Sequence, residues 1–233
     1  MTSNPLPSPA PAPTPSAAPS APAAHPPSAP SAAQPPTRGA PFIPGVFVEE
    51  GTASWYGEPF HGRRAADGEI FDMNSLVAAH RTLPFGSILK VTNLDNGREV
   101  QVRVIDRGPF VSNRILDLAH AAASALGMIG AGTARVRIEL VSGPNPDAGE
   151  FTVQVGAFSD RANAERVRDS LSTRHQPVLI QEYGTAKGHF YRVRVGREPS
   201  LEAAQQLAAD LKSSDGFQAF VIRLDPPPDA SVH

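Results

Sequence analysis

The sequence predicts a small all-β barrel joined to a four-stranded α+β domain, both behind an extended tether. Three observations carry this. Of the 25 prolines, 13 fall in the first 36 residues, and no Asp, Glu, Lys or Arg precedes Arg38. Between residues 51 and 141, short Val/Ile-rich runs alternate apolar and polar side chains, as half-buried strands do. Between residues 150 and 224 the order reads strand, helix, strand, strand, helix, strand, the split βαβ pattern.

Residues 1–41 form a Pro/Ala/Ser tract. Such a composition cannot bury enough apolar surface to offset the entropy of ordering, so a disordered, locally extended tether is expected. At about 3.1 Å per residue its reach is on the order of 100 Å. The last residues, 225–233, are expected to be a disordered tail.

The first domain is expected over residues 50–141, with strands at Gly51–Tyr56, Leu76–Ala79, Ile88–Asn93, Glu99–Ile105 and Ala134–Val141. Asp95-Asn96-Gly97 predicts a hairpin turn between the third and fourth. A short helix is expected over Asp117–Leu126, with Leu118, Ala122 and Leu126 on one face and Gly127 as its stop. Many short strands and one helix in so short a span suggest a barrel.

Residues 142–149 (SGPNPDAG) read as a linker. In the second domain, over residues 150–224, strands are expected at Phe151–Ala157, Val178–Tyr183, Phe190–Val195 and Phe217–Leu224. Ser159 or Asp160 suits the N-cap of the first helix and Ser200 that of the second. Both helices lie on one face of the sheet. With Val153, Val155, Val193 and Val195 pointing to the helices, alternation puts Gln154, Phe190, Arg192 and Arg194 on the open face. An aromatic, an amide and two guanidiniums there suit a polar, sugar-like polymer.

Several function classes are disfavoured. Residues 49–143 hold 10 basic and 11 acidic side chains, and residues 150–224 hold 10 and 9. Neither half has the basic excess of a nucleic-acid binder. No run is long and apolar enough to span a membrane, so a soluble chain is expected. Cysteine is absent, which excludes disulfides and thiolate chemistry. There is no HExxH, GxSxG or phosphate loop, and neither a metal nor a cofactor is expected. The N-terminus shows no secretory pattern, so export is not visible from it.

The ionisable candidates within residues 51–118 are Glu69, His80, Asp106 and Asp117. Singly, each has a structural explanation: a turn carboxylate, a hydrogen-bonded histidine, a turn in DRGP, and a helix N-cap. Together with Trp55, Tyr56 and Phe60 they make equipment for a sugar polymer. Aromatic faces stack on pyranose rings, and a carboxyl with a raised pKa can protonate a glycosidic oxygen.

The segments GTASWYG, FHGRRAADGEIFDMNSLVAAHRTLPFGS, VTNLDNGR and VRVIDRGPFVSNRILDLAHAAA resemble the double-psi β-barrel of the rare lipoprotein A family of septal lytic transglycosylases. FTVQVGAFSDRANAERVRDSL and FYRVRVG resemble a SPOR domain, a ferredoxin-like βαββαβ module that binds glycan strands stripped of stem peptides. The resemblance implies cleavage of the β-1,4 bond after N-acetylmuramic acid, with the sugar's own C6 hydroxyl as nucleophile. It implies Glu69, His80 and Asp106 as active-site residues, with Asp106 or Glu69 as acid/base, His80 orienting it or binding an acetamido group, and Asp117 as a further candidate. Trp55, Tyr56, Phe60 and Arg107 are the expected substrate contacts. Gln154, Phe158, Ser159, Phe190, Arg192 and Arg194 are the expected glycan contacts of the second domain.

The implied setting is the cell envelope at the division site, with the second domain delivering a monomeric enzyme to denuded strands. Family members are usually lipoproteins anchored to the outer membrane, and this chain has neither leader nor lipid-bearing cysteine, so a trimmed start or another export route is expected. The usual DLS motif reads Asp117-Leu118-Ala119 here. Two other readings stand beside the transglycosylase. One is a non-catalytic, expansin-like scaffold, since one fold serves both roles. The other is a hydrolase in which two carboxylates about 6.5–9.5 Å apart activate water.

Overall fold

The computed structural model describes residues 47–185 and 188–225, so the expected tether and residues 226–233 of the expected tail lie outside the described residues. The first domain contains strands β1 (Val48–Tyr56), β2 (Val77–Ala79), β3 (Ile88–Asn93), β4 (Glu99–Asp106), β5 (Arg114–Ala119) and β6 (Thr133–Ser142), with one helix, α1 (His120–Ala125). The strands close into a barrel in the order β1-β5-β2-β4-β3-β6. The β1–β5 and β2–β4 pairs are parallel and the rest antiparallel.

Alternation builds the interior. Leu89 and Val91 of β3, Val102 and Val104 of β4, and Val136, Ile138 and Leu140 of β6 are all buried in one core with Ala53, Ala78, Leu116 and Leu118. Each fully buried aliphatic side chain contributes roughly 1.5–3 kcal/mol. A second, smaller cluster lies outside the barrel wall. There Ala65 and Phe71, from the long β1–β2 connection, cover Val77, Ile105 and Ala119.

The expected helix over Asp117–Leu126 is strand for its first three residues. Arg114–Ala119 is β5, and the helix begins only at His120. The reason is position: β5 lies between β1 and β2, and four of its six residues are buried, so it has no clean alternation to read. Ala119, at the N-cap, makes no side-chain cap bond. The other end of α1 is capped from the β3–β4 hairpin, where Asn93 and Asn96 both donate Nδ2–H to Leu126 O, at 3.0 and 2.9 Å. The VTNLDNGR segment thus serves as hairpin and as helix stop together.

The second domain contains β7 (Glu150–Phe158), α2 (Arg161–Ser172), β8 (Val178–Thr185), β9 (Gly188–Glu198), α3 (Leu201–Asp215) and β10 (Phe220–Leu224). Its sheet has the order β10-β7-β9-β8, antiparallel throughout. Asp160 caps α2 by accepting from Asn163 N, and Ser200 caps α3 by accepting from Ala203 N. The last strand starts at Phe220 rather than at Phe217. After the left-handed Gly216 that ends α3, Phe217 donates its N–H back to Leu211 O and packs in the helix-side core.

The open face of this sheet is not fully uncovered. Along its β10 side it meets the barrel. Arg223 N donates to Arg81 O at 3.1 Å, so the edge of β10 is bonded to the barrel's 80–83 loop. The Arg223 side chain donates to Thr82 O at 3.0 Å and to the carbonyls of Asn145, Pro146 and Ala148. The connecting segment is therefore gripped. At Gly149, φ is +120° and a Cβ would lie against the Arg223 guanidinium. Gln218 reaches Ser112 Oγ at 2.6 Å, and Phe220 sits edge-on to Phe110 with centroids 6.5 Å apart. Asp225, expected in the disordered tail, forms a two-pronged pair with Arg107 at 2.6 and 2.5 Å. It belongs to the docked structure because a charge partner from the barrel waits for it.

Asn93→Ala removes one of the two side-chain donors on Leu126 O and leaves Asn96 as the other. It is expected to cost about 1–3 kcal/mol, measured by denaturant unfolding of the full chain.

Candidate active site

Strand register assembles the site. Ala79, at the end of β2, is opposite Asp106 of β4 on one side and Asp117 of β5 on the other. Asp117 in turn is opposite Ser54 of β1. A bulge between Ala78 and Ala79 in the β2–β4 pairing sets Val104 opposite Ala78 and Asp106 opposite Ala79, leaving Ile105 unpaired. The result is a row, Ser54–Asp117–Ala79–Asp106, running across four strands of the wall. With strands about 4.8 Å apart, the two Asp backbones are roughly 10 Å from each other. Only the methyl of Ala79, itself buried, stands between them. Gly108, with φ at +151°, lies over it: the nearest atoms to a Cβ there would be Asp117 Oδ2, Ala79 Cβ and Phe110 Cε2, at 3.8–3.9 Å.

Both carboxyls hold protons more tightly than usual. Burial pushes Asp106 up. Hydrogen bonds from Arg107 N at 2.8 Å and Ala66 N at 3.2 Å, and the guanidiniums of Arg107 and Arg192, only partly oppose it. Burial likewise raises Asp117, against a 2.5 Å bond from Ser54 Oγ and the charges of Arg114 and Arg81. Asp67, which the sequence did not single out, is also raised by burial and by the charges of Glu69 and Asp106.

Tyr56 faces the same cluster. Its ring stacks on Phe71 with centroids 4.3 Å apart. Its hydroxyl is buried without a hydrogen-bond partner. Burial, then Asp106, Asp117 and Asp67, keep it firmly protonated. It is a phenol donor fixed in place beside three carboxyls.

The other expected site residues are distributed differently. Glu69 lies at the rim, with its carboxylate held in a two-pronged pair by Arg103 at 2.9 and 2.6 Å. His80 is buried, and it makes no hydrogen bond to either carboxyl of the row. Its Nδ1 accepts from Leu83 N at 3.0 Å and Thr82 N at 3.2 Å, which puts the ring proton on Nε2, facing Glu49 Oε2 at 3.2 Å. Desolvation lowers its pKa, so the imidazole is neutral. It pins the 80–83 loop, whose His80 and Leu83 carbonyls both accept from Arg107 Nη1 at 2.9 Å.

Arg107 was expected to touch substrate. Instead its guanidinium is consumed by those two carbonyls, by Asp225, and by the Phe85 ring 3.7 Å beneath it. Trp55 is packed partly into the barrel core, edge-on to His120 at 5.3 Å. Phe60 is exposed beside Tyr56.

On the second domain, Arg192 lies over the Tyr183 ring at 3.7 Å and faces Phe110 of the barrel at 5.0 Å. Arg194 is partly buried with an unpartnered Nε, next to Gln154, whose buried Oε1 is also unpartnered. Phe190 is half-buried opposite Tyr183. Ser159 is exposed ahead of the α2 cap. Phe158 was expected among the glycan contacts but packs in the helix-side core, where it fills the space that a Cβ on Gly156 would need. Ser54, Asp67 and Ala79 lie inside the quoted segments and Tyr183 outside them, but nothing local singles them out, because cross-strand register brings them to the site.

The raised affinity of Asp106 for its proton has a consequence for stability. The group binds a proton more tightly folded than unfolded, so its contribution is present at acid pH and lost as pH rises through its folded value. Asp106→Asn is therefore expected to melt higher than the parent near neutral pH. The gap should close on acidification toward about pH 4, the ordinary aspartate range. Thermal unfolding across that interval checks it.

Comparison with known proteins places these features. Residues 48–138 match the family model described as lytic transglycolase, and residues 147–223 match the SPOR domain model. The endolytic peptidoglycan transglycosylase RlpA of Vibrio cholerae is 40% identical over 187 residues, covering 76% of this chain and 70% of that protein. The Neisseria meningitidis protein of the same name is 38% identical over 175 residues, covering 71% and 72%. That of Campylobacter jejuni is 46% identical over 150 residues, covering 53% and 54%. With the barrel, its carboxyl row and the docked second domain all in place, this chain belongs to the RlpA family of endolytic peptidoglycan transglycosylases.

Proposed function

We propose that this chain is an endolytic peptidoglycan transglycosylase that cleaves the glycan between N-acetylmuramic acid and N-acetylglucosamine, with Asp106 as acid and then base. The observation that carries the assignment of roles is the place of Asp106, set largely into the barrel wall and separated from Asp117 by the single residue Ala79. An acid must hold its proton at working pH, and burial raises Asp106 in that direction. Glu69, exposed and paired through both oxygens with Arg103, is assigned to the rim.

The steps balance within the sugar. Asp106 gives its proton to the glycosidic oxygen as the bond from C1 breaks and positive charge develops at C1. The muramic C6 hydroxyl then attacks C1, and the Asp106 carboxylate takes the hydroxyl proton. The product is a 1,6-anhydro sugar, and no water is consumed. Because the nucleophile belongs to the substrate, one acid/base carboxyl suffices. Asp117, hydrogen-bonded to Ser54, is assigned a polar contact to the sugar on the other side of Ala79, and the Tyr56 hydroxyl a hydrogen bond to an oxygen of the bound sugar.

The cell envelope, at sites where peptide-free strands accumulate, is the setting in which such an enzyme has substrate. The row of two carboxyls also keeps the hydrolase reading specific, since water activation needs a second carboxyl across the scissile bond.

Mass spectrometry of products from sacculi, intact and amidase-treated, separates the readings. Anhydro ends are expected from the full chain. Asp106→Asn is expected to lose on the order of 100-fold or more in rate, while Glu69→Gln stays within about tenfold. Reducing ends in place of anhydro ends mean a hydrolase. No cleavage, with binding intact, means a scaffold.

A further inference from the structure

The second domain does more at the barrel than dock. The Arg192 guanidinium lies over the Tyr183 ring at 3.7 Å, and the Phe110 ring of the barrel is 5.0 Å from it. Phe110 is four residues beyond Asp106, and its ring edge and Asp117 Oδ2 are both within 3.9 Å of the position a Cβ would take on Gly108. Arg192 is close enough to Asp106 for each to perturb the other's charge. Even so, Arg192 has no carboxylate within salt-bridge distance among the described residues, in a region where Arg103, Arg107 and Arg114 all have one. Nor has its neighbour Arg194, whose Nε is buried and unpartnered. The two repel one another, which adds to the desolvation that lowers Arg194. Two guanidiniums on one sheet face, neither with a carboxylate at salt-bridge distance among the described residues and one of them within reach of the charge of Asp106, suit an added anion.

We propose that the second domain completes the catalytic cleft of the barrel, with Arg192, held between Tyr183 and Phe110, binding the free lactyl carboxylate of a peptide-stripped muramic acid during cleavage. This rests on the function proposed above and names which strands the site takes. In peptidoglycan the lactyl carboxyl is tied up as an amide wherever a stem peptide is attached, and is a free anion only where the peptide has been removed. A guanidinium fork pairs with a carboxylate through two charge-assisted hydrogen bonds and gains far less from an amide. The selection of denuded strands is therefore built into the cutting step as well as into delivery. It also activates the acid. A carboxylate on Arg192 neutralises one of the charges that hold Asp106 down, so the correct substrate strengthens the grip of Asp106 on its proton.

The test uses the full chain and two substrates: peptide-free glycan oligosaccharides, and the same oligosaccharides with their lactyl carboxyls converted to methylamides. Small soluble substrates remove any effect of delivery to sacculi. Arg192→Gln is expected to lose about tenfold or more in kcat/KM on the free acids and to differ little from the parent on the amides. Arg192→Lys, which keeps the charge without the flat fork, is expected to lie between. Unchanged kinetics on both substrates, or equal losses on both, overturn the proposal; equal losses mean that Arg192 only holds the domains together. Binding of both oligosaccharides to the Asp106→Asn chain, with and without Arg192→Gln, is measured by calorimetry. If no glycan is cut but the free acid binds more tightly through Arg192, the site stands and the transglycosylase reading fails. If free acid and amide bind equally whether or not Arg192 is present, the site fails.

Discussion

The buried pairing of Arg107 with Asp225 is the contact on which the rest depends. One guanidinium takes both oxygens of Asp225, the carbonyls of His80 and Leu83, and the face of Phe85. It is the residue after Asp106, so whatever moves it moves the proposed acid. Such a pair is weak as a source of net stability, because desolvating two ions offsets most of their attraction. Its force lies in the cost of breaking it from one side, about 3–5 kcal/mol for an uncompensated buried charge. The pair ties the placement of the DRGPF segment to the docking of the second domain.

Seen from that pair, His80 changes meaning. As a member of a trio with two carboxylates it looks like a proton carrier. In the fold its Nδ1 is taken by two backbone N–H groups, so protonating that nitrogen would break both. On the function proposed above it is a positioning residue: the imidazole holds the loop, the loop carbonyls hold Arg107, and Arg107 follows the proposed acid and pairs with the second domain. Loss of activity on changing His80 is thus compatible with a residue that touches neither proton nor sugar.

The legible and illegible parts of the sequence divide along physical lines. Where one strand face meets solvent, as in β3, β4 and β6, alternation marks the element almost to the residue. Side-chain caps at Asp160 and Ser200 are local and were equally readable. β5 was not, since burial on both sides erases the period and its short apolar run merges with the helix that follows. The roles of Arg107 and Asp225 were hidden for another reason. They are 118 positions apart, and Asp225 sits at the edge of a Pro-rich stretch whose composition argues for disorder. The carboxyls themselves were visible as residue types, but which of them is buried, and which is neutralised by an arginine, depends on register that no local pattern carries.

The grip of Arg223 on the connecting segment changes what kind of device joins the two domains. A flexible linker would let the second domain hold a strand anywhere within a sphere of capture, raising local concentration without choosing a bond. Here Asn145, Pro146 and Ala148 are clamped to β10, and β10 is bonded to the barrel. The chain then behaves as a ruler: a strand seated on the sheet has one phase relative to the cutting position, and fragment lengths carry the spacing between the two.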